Sequence, residues 1–185
     1  VADWYYVPTG SMEPTIQVGD RVVVDKSAYT LELPFTDVVV AKTGNINRGD
    51  IVIIDSNAAD TRLIKRVVAI EGDKVKLENN VLFINGEKAT LSVKGHNLYS
   101  EQILGQTRTI ALNPLPSPAK NFNLVTVPRD HVLAMGDNRN NSVDSRYYGF
   151  IPIEEIQGKA NAVAFSLDPD DMYLPRKDRL FTSLY

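Results

Sequence analysis

The sequence predicts a mostly β fold with few short helices and one inserted lobe, and three observations carry that expectation. Short β-branched runs recur along the chain, each bounded by Gly-Asp, Asn or similar turn residues. Asn85-Gly86 is a strong two-residue hairpin signal. Helical periodicity is scarce: only residues 153–156, with Pro152 near their start, read as a short helix.

Taken in order, residues 21–25, 50–54 and 63–70 are the first strand-like runs. Lys74-Val75-Lys76-Leu77 alternates, Asn79-Asn80 turns, and Val81-Leu82-Phe83-Ile84 leads into Asn85-Gly86. Residues 87–124 change character. They are polar and weakly periodic and end in Asn113-Pro114-Leu115-Pro116-Ser117-Pro118, as expected of a lobe or long excursion inserted in the sheet domain. Patterning returns at Leu124-Val125-Thr126-Val127 and His131-Val132-Leu133-Ala134-Met135. Asp168-Pro169-Asp170-Asp171 reads as a turn, and the last ten residues as a loose tail.

Length and composition narrow the function classes. A chain of 185 residues with 43% hydrophobic and 23% charged residues can bury a sizeable core. A net charge of −3 provides no basic footprint for nucleic acid. There are no cysteines, which excludes disulfides, thiolate metal sites and a cysteine nucleophile. His96 and His131 stand far apart without clustered carboxylates, so neither a metal nor another cofactor is expected. The longest apolar runs, Val22-Val23-Val24 and Val38-Val39-Val40-Ala41, are strand-sized and far short of the roughly 18 residues of a membrane span. Because the chain opens on Val1 and reaches its best motif within ten residues, an N-terminal part carrying a membrane anchor is expected to precede it.

That motif is Val7-Pro8-Thr9-Gly10-Ser11-Met12-Glu13-Pro14-Thr15-Ile16. Gly10 permits close backbone approach and Pro14 restricts the chain beyond, so Ser11 is expected on a rigid corner. Its backbone N–H and the Thr9 hydroxyl are candidate donors to an oxyanion. A serine needs a base, and a lysine serves only if burial lowers its pKa. Lys65 interrupts an apolar strand in which Leu63, Lys65 and Val67 share one face and Ile64, Arg66 and Val68 the other. Both faces look apolar, so at least one cation is expected inside. Taken alone, Lys65 reads equally as a snorkelling or carboxylate-paired lysine. The third element, residues 136–146, packs hydroxyls, amides and charges around one valine directly after an apolar strand. It reads either as a buried hydrogen-bond network or as a long turn with Asx caps.

Ser11-Met12-Glu13-Pro14-Thr15, Arg48-Gly49-Asp50-Ile51-Val52, Lys65-Arg66-Val67-Val68 with Glu71-Gly72-Asp73, and Gly136-Asp137-Asn138-Arg139 through Ser142-Val143-Asp144-Ser145-Arg146 stand in a telling order. Together they resemble the bacterial type I signal peptidases, over residues 7–76 and 124–158. The resemblance implies an antiparallel β-sheet catalytic domain of the signal-peptidase type, at 1–76 and 124–185, with an inserted variable lobe at 77–123. It implies Ser11 as nucleophile, Lys65 as general base, and an oxyanion hole completed by Thr9 with Ser11. Ser142 would orient the lysine ammonium, while Asp144 and Arg146 would support the loop as an ion pair. Asn140 departs from the family pattern, where aspartate is common. The implied partners are signal peptides of exported preproteins, with small residues at the first and third positions before the cut, and the membrane lipid surface. The implied location is the inner (cytoplasmic) membrane, with the catalytic domain on its periplasmic side. Trp4, Tyr5, Met12 and Phe150 are candidates to touch lipid, with packing on the core as the alternative for Trp4 and Tyr5.

Other readings stay open. A self-cleaving repressor-type protease shares Ser/Lys chemistry, a pilin-type peptidase would serve dedicated substrates, and a catalytically silent homologue would only bind. His131 opens a strand and reads as structural.

Overall fold

The computed structural model describes residues 2–32, 39–42, 44–114 and 116–185. Val1, Leu115 and Val38 of the second apolar run lie outside them. In chain order the first strands are β1 (Ala2–Tyr6), β2 (Asp20–Asp25), β3 (Thr30–Glu32), β4 (Val39–Lys42), β5 (Ile51–Ser56), β6 (Thr61–Ile70), β7 (Lys74–Glu78), β8 (Val81–Ile84) and β9 (Glu87–Lys88). They are followed by β10 (Thr90–Gly95), β11 (Leu98–Ile103), β12 (Gln106–Ala111), β13 (Phe122–Thr126), β14 (His131–Met135), β15 (Ile151–Pro152), β16 (Ile156–Asp168), β17 (Leu174–Pro175) and β18 (Thr182–Ser183). One α-helix, α1 (Ser145–Tyr148), and a few 3₁₀ turns complete the described elements.

The protein is mostly antiparallel β. The main sheet runs β1-β2-β16-β5-β6-β14-β15, with β17 and β18 pairing to β16. Its central strand β5 alternates between two cores. Ile51 and Ile53 join Val7, Met12, Ile16, Val22 and Ile64 on one side, while Val52 and Ile54 join Val67, Val132 and Ala134 on the other. A strand covered on both faces reads as a continuous apolar run, which is why 51–54 shows no polar alternation. A second sheet, β13-β7-β8-β9, and a third, β10-β11-β12, stand apart from the main one. Val75, Leu77, Leu82 and Ile84 of the second sheet pack with Val68, Ala69, Leu133 and Met135 of β6 and β14. The Asn85-Gly86 turn has positive φ at both residues, 52° and 85°, as its residue types demand.

Three expectations are corrected, and residues 87–124, polar and weakly periodic in sequence, hold regular strands. Most of β10 is exposed, so hydropathy alternation is absent although the ladder to β11 is present. The last ten residues are no loose tail: Ser183 and Thr182 pair with β16, Arg179 binds Asp20, and Leu184 is buried. Met12 is fully buried in the core and does not reach a lipid surface, while Phe150 is partly buried against the second cluster. The helix expected at 153–156 is a single 3₁₀ turn, Ile153–Glu155, while α1 forms at the end of the polar loop instead.

Candidate active site

Ser11 lies in a 3₁₀ turn, Gly10–Met12, pinned from both sides. Below, the side chain of Met12 is wholly buried in the core. Above, Asn138 donates its backbone N–H to the Ser11 carbonyl and its Nδ2 to the Gly10 carbonyl, each at 3.0 Å. The corner is therefore held by the loop at 136–146 as well as by its own turn.

Lys65 and Arg66 of β6 are both buried, where sequence demanded at least one, while Arg62 at the strand's start is exposed. Arg66 faces Asp137 in a two-pronged pair, Nε to Oδ1 at 2.9 Å and Nη2 to Oδ2 at 2.8 Å. Lys65, 3% exposed, donates Nζ to Ser11 Oγ at 2.8 Å. Residues 54 apart in sequence thus meet as a nucleophile and an amine. Burial pushes the Lys65 ammonium down to about 8, and the Arg146 charge adds to that effect, against the opposing pull of the Asp144 and Asp137 carboxylates.

The register of the sheet explains the meeting. β14 runs antiparallel to β6 with Met135 opposite Arg66, so the polar loop leaves the sheet beside Lys65. Asp144 organises that loop. Its carboxylate accepts the Gly136 N–H at 2.9 Å, the Ser142 hydroxyl at 2.7 Å and the Arg146 guanidinium at 2.8 Å through both Nε and Nη2. Burial would raise its pKa, but Arg146, Gly136 and Ser142 together hold it below the usual carboxylate range. Asp144 and Arg146 thus form a buried ion pair. Ser142 differs: its hydroxyl binds Asp144, and among the described residues no hydrogen bond joins it to Lys65. The stronger, charge-assisted acceptor two residues away accepts that hydrogen bond instead. Gly136 lies against this hydroxyl. A Cβ there would collide with Ser142 Oγ, Ser142 Cβ and the Ser11 carbonyl.

Thr9 is extended, with φ −131° and ψ 152°, and exposed. It makes no cap hydrogen bond, so its hydroxyl is not spent on the turn. Asn140 donates Nδ2 to the Asn113 carbonyl while its Oδ1 is buried without a partner. His131 Nδ1 lies 2.7 Å from the Arg129 carbonyl, which leaves it a local structural contact. Arg139 and Glu101 were missed by sequence reasoning. Arg139 is 2% exposed and binds Glu101 from the third sheet at 2.8 Å through both Nη atoms, and nothing in the polar text of β11 marks that pairing.

A family model described as signal peptidase, peptidase S26, matches residues 1–165. The chain belongs to that family. It is a serine endopeptidase. A signal peptidase I from Pseudomonas aeruginosa is 34% identical over 201 aligned residues, covering 95% of this chain and 69% of that protein. A signal peptidase IB from Staphylococcus aureus is 33% identical over 157 residues, covering 85% and 74%. A solved signal peptidase I from Enterococcus faecalis is 25% identical with a TM-score of 0.42, covering 62% of this chain and 96% of that one.

Proposed function

We propose that this peptidase removes signal peptides from exported preproteins, with Ser11 as nucleophile and Lys65 as general base. One observation carries the reading: a buried lysine with its pKa drawn down to about 8 lies 2.8 Å from the hydroxyl of a serine on a rigid corner. Neutral Lys65 takes the Ser11 proton as Oγ bonds to the scissile carbonyl carbon. The oxyanion is received by the Ser11 N–H and the Thr9 hydroxyl. Collapse breaks the C–N bond and Lys65 returns its proton to the leaving amine. A water, deprotonated in turn by Lys65, then hydrolyses the acyl-enzyme. Asp144 and Arg146 hold the loop, and Ser142 acts through Asp144 as a positioning residue.

A mostly apolar cavity of about 220 Å³ is lined by Tyr5, Val7, Pro8, Ile53, Arg62 and Ile64 among others, and Ile64 adjoins Lys65 in the chain. So small an apolar space suits the short side chains that precede a signal-peptide cut. We assign residues 77–123 to the inserted lobe of the family. No helix among the described residues is long and apolar enough to cross a membrane. We place its work at the inner membrane, with the catalytic domain on the periplasmic side where exported preproteins emerge. Trp4 and Tyr6, 59% and 47% exposed on the strand before Ser11, suit contact with lipid.

Incubation with a preprotein tests the reading. Wild type is expected to release the mature chain at the signal-peptide junction. Ser11→Ala, Lys65→Ala and Lys65→Arg are each expected to stay folded and silent, since arginine does not deprotonate. Turnover by Lys65→Arg would sink the lysine-base mechanism. Preserved cutting at a different junction would sink the substrate assignment alone.

A further inference from the structure

Two buried arginines share one carboxylate where the third sheet meets the polar loop. Glu101 on β11 is 0% exposed. It accepts Arg108 Nε at 2.6 Å and both Nη atoms of Arg139 at 2.8 Å. Arg139 completes its set by donating Nε to the Gly136 carbonyl at 3.2 Å. Arg108 has no such completion. Its Nη2 is buried without a partner, and its Nη1 makes no hydrogen bond among the described residues. Burial draws its pKa below the ordinary arginine range, and Arg139 pulls in the same direction against Glu101. Two cations against one carboxylate leave a net positive charge in a place poor in water.

Arg108 also lines a cleft of about 900 Å³ between the third sheet and the main sheet, which neither Ser11 nor Lys65 lines. The other charges on its wall balance in pairs. Arg48 binds Asp73, Arg66 binds Asp137, and Asp50 binds Lys159. Lys94 has only the Thr109 hydroxyl, at 3.3 Å. The uncompensated charge of this cleft is thus Arg108 with Lys94.

We infer that this cleft is a binding site for an oxyanion, a carboxylate or phosphate group taken by Nη1 of Arg108, the guanidinium nitrogen that is neither bonded nor closed off from solvent, with Lys94 at the rim. A planar guanidinium with unspent donors matches such a group, and partial desolvation strengthens each charge-assisted bond. The site is separate from the dyad, and peptide cleavage does not enter the argument.

Inorganic phosphate and acetate, titrated separately into the full chain at constant ionic strength held with chloride, test the site by calorimetry and amide shifts. Saturable one-to-one binding of at least one anion is expected. Response to phosphate alone assigns a phosphate group, and response to acetate alone a carboxylate. Arg108→Gln should weaken binding by about tenfold or more, the equivalent of one lost charged hydrogen bond. Lys94→Gln, an exposed change with no fold to endanger, should weaken it a few-fold. Absence of saturable binding by both anions overturns the site. So does unchanged affinity in Arg108→Gln, or in Lys94→Gln if the arginine variant does not fold.

Discussion

At Lys65 one burial event sets both chemistry and cost. Its pKa of about 8, against an ordinary 10.5, makes it available as a base near neutral pH. Catalysis should therefore rise with pH through about 8, read as a kcat/KM profile on a peptide substrate. Stability carries the same shift with a definite sign. Between about 8 and 10.5 the unfolded chain holds more protons than the folded one, so folding strengthens with rising pH across that window. Below it the full penalty stands, on the order of 3 kcal/mol. Lys65→Met should accordingly melt higher than wild type at pH 7, with the difference shrinking toward pH 10; a constant gap between the two melting curves would contradict the burial account. Thr9 is the second test at this scale. Thr9→Ser should stay active, while Thr9→Val should lose about 10²–10³-fold in kcat with little change in KM, the usual effect of one missing oxyanion donor. Near-wild-type kcat in Thr9→Val would remove the hydroxyl from the mechanism.

The loop at 136–146 is the element that holds the site together, and its conformation rests on Gly136. Any side chain there drives into Ser142 Oγ and the Ser11 carbonyl, both of them buried. Gly136→Ala should lower stability by about 1–3 kcal/mol, as overpacking does. It should lower kcat far more than that figure suggests, because Ser11 itself is displaced. Denaturant unfolding beside single-turnover rates separates the two effects, and a variant with wild-type kcat would show that the loop does not set the position of Ser11. The loop itself was legible as dense polar sequence, yet its two readings diverged until Asp144 was seen to collect Gly136, Ser142 and Arg146 at once. A short α-helix at its end went unseen, since four residues, Ser145–Tyr148, are too few for periodicity to register.

Across the whole molecule, the third sheet is tied to the catalytic loop through Glu101. Its carboxyl is held down to about 2, because Arg139 and Arg108 outweigh the burial that would raise it. Glu101→Gln leaves two buried guanidinium groups without a counter-charge and should cost about 3–5 kcal/mol. The loss belongs to the loop as well as the sheet, so amide exchange should quicken at both 98–111 and 136–146. Quickening confined to β11 would place the network outside the support of the site.

The sequence by itself determined the strand-rich class, the Asn85-Gly86 hairpin and the four ordered boxes. These are local: turn chemistry, residue alternation and short motifs survive in one dimension. Ser11 and Lys65 were candidates from such text, and the resemblance carried by the four boxes added Asp144 and Arg146. Only the tertiary structure decided that Lys65 rather than Arg66 reaches Ser11, that Ser142 serves Asp144, that Met12 faces the core, and that Glu101 answers Arg139. Each depends on which side of a twisted sheet a residue takes and on partners tens of residues away. A buried charge is settled by who meets it, and no local pattern encodes that meeting.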